Sequence, residues 1–65
     1  MIRNDKELEI TRRRIDQFQR WLSQIRETAR SDEFDSMASG YRLEIERMQA
    51  EVMDYLLRPV QAKDG

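Results

Sequence analysis

The sequence predicts an all-α protein, an antiparallel two-helix hairpin of the coiled-coil type that dimerises into a four-helix bundle. The helices are predicted because two long segments each carry apolar residues at alternating steps of three and four. The hairpin is predicted because one interior cluster of turn-forming and helix-capping residues separates these two segments. The 65 residues are expected to form a single domain.

The first helix is predicted at about residues 5–30. Asn4 is a good N-cap, and Glu7, three residues later, can reach back to the backbone N–H of the cap. From there the chain has no Gly or Pro before Gly40. The apolar stripe of this helix is Leu8, Thr11, Ile15, Phe18, Leu22, Ile25 and Ala29.

A turn is predicted at about residues 31–35, followed by a second helix at about residues 36–57. Either Ser31 or Asp35 can cap that helix, so the start stays open at this point. The apolar stripe of the second helix is Phe34, Ala38, Tyr41, Ile45, Met48, Val52 and Tyr55.

The end of the second helix is predicted from Pro59. Proline has no N–H for the helical hydrogen-bond ladder, and it disfavours helical dihedrals in Arg58 before it. The helix should therefore finish near Leu57, and residues 59–65 are expected to form a flexible tail.

Pairing the two stripes around the predicted turn gives a register in which Phe18 faces Met48 and Thr11 faces Tyr55. Residues 1–30 contain 8 Lys and Arg against 5 Asp and Glu, whereas residues 31–65 contain 4 against 8. Opposite charge on the two helices favours the antiparallel arrangement. The predicted hairpin core is Leu8, Ile15, Phe18, Leu22, Ile25, Tyr41, Ile45, Met48, Val52 and Tyr55.

Further apolar residues lie off the hairpin seam and form a candidate association surface. Leu43, Ala50 and Leu57 repeat every seven residues on the face opposite the seam. We expect them to drive formation of a homodimer, with a different protein partner as the alternative. The opposing interpretation is that they only cover the sides of the hairpin. The complete surface is Ile10, Trp21, Leu43, Ala50, Met53, Leu56 and Leu57.

No catalytic, cofactor-binding or metal-binding residues are predicted, and the protein is not expected to be an enzyme. The chain has no His and no Cys, which removes the usual general base, thiol nucleophile and zinc ligands. Arg13 and Arg20 share an outward face of the first helix and are a candidate phosphate contact. The net charge of −1 argues against a general nucleic-acid binder, so a nucleic-acid-associated accessory protein is the alternative function.

No segment approaches the length of apolar sequence that spans a membrane, and the first residues contain no apolar signal-peptide region. We therefore expect a cytoplasmic protein without membrane contact.

The opening residues Met1, Ile2, Asn4, Glu7, Ile10 and Thr11, followed by Phe18 and Leu22, resemble the helical segment that begins some bacterial antitoxin-like regulators. In that family the segment precedes a helix-turn-helix DNA-binding domain. Ile45, Glu46, Met48, Ala50, Glu51 and Tyr55 are similar to the end of the same segment, so the resemblance covers roughly residues 1–57. This chain stops where the DNA-binding domain would begin. The resemblance thus implies a bacterial oligomerisation or partner-binding module, and it transfers no functional residue.

Overall fold

A computed structural model describes residues 1–59 and shows two α-helices that pack along each other as a hairpin. Helix α1 comprises Asp5–Thr28 and helix α2 comprises Ser31–Leu56, and the described residues contain no strand. The prediction of an all-helical hairpin is confirmed. The molecule measures 56 × 15 × 12 Å with a radius of gyration of 15.5 Å. A compact chain of this length would have a radius of about 11 Å, so the hairpin is a thin rod.

Helix α1 begins at the predicted cap. Asn4 has extended dihedrals, and its side-chain oxygen accepts a hydrogen bond of 2.9 Å from the backbone N–H of Glu7. The Glu7 carboxylate accepts from the N–H of Arg3 at 2.8 Å, one residue before the cap instead of at the cap itself. The bond to Asn4 satisfies an amide donor that the first helical turn leaves free. Helix α1 ends at Thr28, two residues earlier than predicted.

The connection between the helices is shorter than predicted. Residues 31–35, predicted to be a turn, instead form the beginning of α2, which starts at Ser31. Arg30 acts as the N-cap through its backbone alone, because its carbonyl accepts from the N–H of Phe34 at 2.7 Å. Asp32 and Glu33 lie in the first turn, where negative charge favours the helix dipole. These carboxylates favour an early start, and the connection is reduced to Ala29 and Arg30.

Helix α2 ends at Leu56, one residue before the predicted end and three residues before Pro59. The N–H of Leu57 still donates to the carbonyl of Met53 at 2.9 Å. Of the predicted tail, residues 60–65 lie outside the described residues.

The predicted register is wrong by about one heptad. Phe18 was paired with Met48, but its ring packs edge-to-face on Tyr41, with the ring centroids 5.7 Å apart. Tyr55 was paired with Thr11, but its hydroxyl donates to Asp5 at 2.7 Å. The early start of α2 is the reason, since it moves the centre of the turn back by about three to four residues. When the centre of an antiparallel turn moves by one residue, the residue that faces any given position on the other helix changes by two positions along the sequence.

The core is one layer of side chains between two rods. Every residue of both predicted stripes is buried or half-buried, including all ten that were proposed as the hairpin core. The most buried are Ile2, Leu8, Ile45 and Met48, and no described side chain is completely enclosed. A single seam leaves the sides of its own residues open to water, so the hairpin has little of the buried surface that stabilises larger domains.

Candidate protein interaction surface

The face of α2 that points away from α1 carries a row of exposed apolar residues. Leu43 is 66% exposed and Leu57 is 74% exposed, while Ala50 between them is also exposed. Met53 lies beside this row, whereas Leu56 lies farther round the helix next to the seam, and each is about half exposed. We call Leu43, Ala50, Met53 and Leu57 the outer stripe. Helix α2 thus carries apolar residues on its outer face as well as on the seam.

The polar residues next to the outer stripe are organised into ion pairs along α2. Arg47 donates to Glu44 at 2.7 Å and to Glu51 at 3.3 Å, and Arg42 donates to Glu46 at 2.9 Å. The hydrogen bond to Glu46 raises the pKa of Arg42, and that to Glu44 raises the pKa of Arg47. These exposed pairs stabilise the helix only weakly.

Two residues of the predicted association surface, Ile10 and Trp21, lie on α1 and are separated from the outer stripe. Ile10 lines an open groove between the helices together with Arg14, Met48 and Glu51. Trp21 packs against Phe18 with the ring centroids 5.3 Å apart, and 41% of its surface is exposed. The structure therefore divides the predicted surface into the outer stripe, Leu56 next to the seam of α2, and two separate residues on α1.

The opposite side of the hairpin has a wider apolar groove of about 610 Å³. Leu22, Phe34, Ala38 and Ile45 contribute its apolar wall, and Arg42 and Glu46 stand at its edge. This groove exists because seam residues of a one-layer core remain accessible from the side. The sequence patterns locate these residues on the seam but do not reveal an open groove, because its width depends on the distance between the helices.

The two residues of the candidate basic face are both paired within α1. Arg13 donates to Glu9 at 3.1 Å, and Arg20 donates to Asp16 at 2.9 Å. Each pair is exposed and joins residues four apart on the helix surface. The outward face of α1 is consequently a row of alternating charges and not a positive patch.

Sequence reasoning missed the buried residue that closes the open end of the hairpin. Ile2 is only 2% exposed, although it lies outside both helices and outside both apolar stripes. Arg58, after the end of α2, donates to the carbonyl of Ile2 at 3.0 Å, and its guanidinium lies 5.5 Å from the centre of the Tyr55 ring. The only sequence signal is an apolar residue just before a strong N-cap.

Within residues 1–59 no group of three or more His, Cys, Asp or Glu side chains is placed to hold a metal ion. Neither of the two described helices contains a stretch long and apolar enough to cross a membrane. Comparisons of the chain with other proteins found no matching family model, no matching curated protein and no matching solved structure.

Proposed function

We propose that this chain is a non-catalytic protein–protein interaction module that works by self-association, with two hairpins forming a bundle of four helices. The observation that supports this proposal is the outer stripe. A rod with one layer of core residues exposes a second apolar face on α2, where Leu43 and Leu57 are each about two-thirds or more exposed. Burying large apolar side chains is the main favourable term in association, about 1.5–3 kcal/mol for each side chain that becomes fully buried.

A protein partner is favoured over nucleic acid by the charges of α1. Phosphate binding depends on lysine and arginine side chains that are free to replace counterions. Arg13 and Arg20 are each paired with a carboxylate of the same helix, so the face proposed for the alternative function is largely neutralised. The alternative predicts a shift of labelled DNA or RNA at low salt, and we expect no shift.

Self-association is tested by sedimentation velocity of the full chain over a range of concentrations. We expect a concentration-dependent dimer for the wild type and a monomer for Leu43→Asp, because a carboxylate in the outer stripe would be buried without a partner. The matched control is Gln17→Asp, which places the same charge on an exposed position of α1. It should dimerise like the wild type.

A second variant separates loss of association from loss of folding. Leu22→Asp puts the charge on the seam, where Leu22 is half-buried between the helices, and should abolish the helical signal in circular dichroism. Leu43→Asp should instead keep a substantial helical signal while losing the dimer. A wild-type chain that stays a helical monomer at every concentration would refute self-association.

The cellular context of such a module stays a prediction from the resemblance stated above. A bacterial regulatory or antitoxin-like setting fits a small helical unit that brings copies of a protein together. Purification of the chain from its native host, with identification of what accompanies it, tests that context. Recovery of a toxin-like or DNA-binding partner would support it, whereas recovery of the chain alone would count against it.

A further inference from the structure

We infer that the outer stripe binds the α2 helix of a second copy in antiparallel orientation, with Ala50 on the two-fold axis and Arg47 opposite Asp54 of the second copy. This inference rests on the proposed self-association and specifies its geometry. The occupant is another copy of the chain because the stripe and its flanking charges are complementary to themselves when one copy is reversed.

The two most exposed leucines of the outer stripe lie symmetrically about Ala50. Leu43 lies seven residues before it and Leu57 lies seven residues after it, and both are strongly exposed. In an antiparallel pair centred on Ala50, Leu43 of each copy meets Leu57 of the other. The small side chain of Ala50 at the centre permits close approach of the two helices. This pairing buries the two most exposed leucines of the described residues against each other.

The flanking charges select the antiparallel orientation. Arg47 lies three residues before Ala50 and Asp54 lies four residues after it, on the same side of the stripe. Reversal of one helix therefore brings Arg47 next to Asp54 of the second copy, and the two-fold axis makes this contact twice. Asp54 is 70% exposed, and its own cation, Arg58, is 3.9 Å away, so its carboxylate is accessible for a further pair. Arg47 already pairs with Glu44 and Glu51 of its own helix, but its side chain is 57% exposed, and Asp54 of the second copy would be a third carboxylate beside it.

A parallel pair along the same stripe would bring like charges together. Glu46 would then face Glu46 of the second copy, because both occupy the same level of the stripe. Arg42 and Arg47 would also flank the contact from the two chains. Like charges at facing positions weaken helix association, so the sequence of charges disfavours that arrangement.

A charge-exchange experiment tests the orientation. Asp54→Arg gives a chain with arginine at both positions, and Arg47→Asp gives a chain with aspartate at both. Each variant alone should dimerise about tenfold or more weakly than the wild type, since two attractive pairs become repulsive. An equimolar mixture should form a heterodimer of nearly wild-type affinity in sedimentation velocity. Far-ultraviolet circular dichroism of each variant confirms that the hairpin is folded.

The matched control applies the same exchange to an ion pair outside the stripe. Asp16 and Arg20 form an exposed pair on α1, and Asp16→Arg mixed with Arg20→Asp carries the same net charges as the test pair. These control variants should dimerise like the wild type both alone and mixed. Equal preference for heterodimers in the control and test mixtures would show a general attraction of charges and would overturn the inferred orientation.

Cysteine cross-linking tests the register. A disulfide needs Cα atoms within about 7 Å, so Ala50→Cys should form a disulfide-linked dimer rapidly under mild oxidation. Ser23→Cys, on exposed α1, is the control and should cross-link slowly. A wild-type dimer with equal cross-linking at both positions would overturn this geometry and leave self-association standing. A wild-type chain that is monomeric throughout would overturn both.

Discussion

The hydroxyl of Tyr55 donates a hydrogen bond of 2.7 Å to the carboxylate of Asp5, fifty residues earlier in the chain. It links the last turn of α2 to the first turn of α1. Arg58 continues the link by binding the carbonyl of Ile2 while its guanidinium lies near the Tyr55 ring. Among residues 1–59, the end of the hairpin opposite the connection is therefore held by side-chain contacts.

The Tyr55–Asp5 hydrogen bond predicts a stability that decreases at alkaline pH. The hydrogen bond to Asp5 is the largest cause that raises the pKa of Tyr55 above its ordinary value of 10.0, and burial and the charge of Asp5 add to it. The folded state thus favours the neutral phenol. Its contribution is fully present below pH 10.0 and is lost as the pH rises through the higher pKa of the folded state.

Tyr55→Phe should accordingly lower the Tm at neutral pH, and its difference from the wild type should shrink as the pH rises above 10.0. Thermal denaturation followed by circular dichroism at several pH values measures both effects. Tyr41→Phe is the control, because it removes a hydroxyl while the ring can keep its contacts with Phe18 and Trp21. If Tyr55→Phe kept the full alkaline decrease, the hydrogen bond would not be its cause.

The N-cap of α1 predicts a second pair of variants. Asn4→Ala removes the oxygen that accepts from the N–H of Glu7, and it should reduce the free energy of unfolding by about 1 kcal/mol. Asn4→Asp retains an acceptor and adds a negative charge at the helix N-terminus, so it should match or exceed the wild type. Urea denaturation measures the difference. Equal losses in the two variants would contradict a capping role.

How far the sequence determines this fold differs between its local and its long-range features. The heptad stripes and the Asn4 cap depend on residues within a few positions of each other, and both agree with the structure. The register depends on where the turn ends. Ser31 and Asp35 were both reasonable caps, yet the structure starts α2 with the backbone of Arg30 alone. An error of a few residues in the centre of the turn doubles in the register, so the predicted pairing of the helices is shifted by about one heptad.

The same contrast applies to the candidate site. The exposed positions of Leu43 and Leu57 follow from the phase of the stripe relative to the seam, so the pattern alone is sufficient to place them. Ile2 belongs to no repeat, and it is buried because the end of α2 returns to the start of α1. A contact between the two ends of a hairpin can be predicted from the sequence only when the register is known.

Ile2 therefore predicts an unusually costly substitution outside the helices. Ile2→Ala should reduce the free energy of unfolding by about 2 kcal/mol, the lower end of the range for removing a buried isoleucine side chain. Arg3→Ala is the control, since the Arg3 side chain is exposed and its backbone bond to Glu7 remains. Urea denaturation measures the free energy of unfolding of both variants. Equal values for the two would mean that Ile2 is not part of the core in solution.

The corrected register is tested by energetic coupling between Phe18 and Tyr41. Their rings meet edge-to-face at an interplanar angle of 84°, and Trp21 packs against both. A double-mutant cycle of Phe18→Leu and Tyr41→Leu should give a coupling free energy of about 0.5–1.5 kcal/mol.

The comparison cycle uses Phe18→Leu with Met48→Leu, the pair that the sequence-based register placed together. One heptad separates Met48 from Tyr41 along α2, roughly 10 Å at 1.5 Å per residue. Side chains that far apart without shared partners are additive to within about 0.5 kcal/mol. Strong coupling of Phe18 to Met48, together with additivity of Phe18 and Tyr41 in urea denaturation, would restore the sequence-based register and require a turn near residue 33.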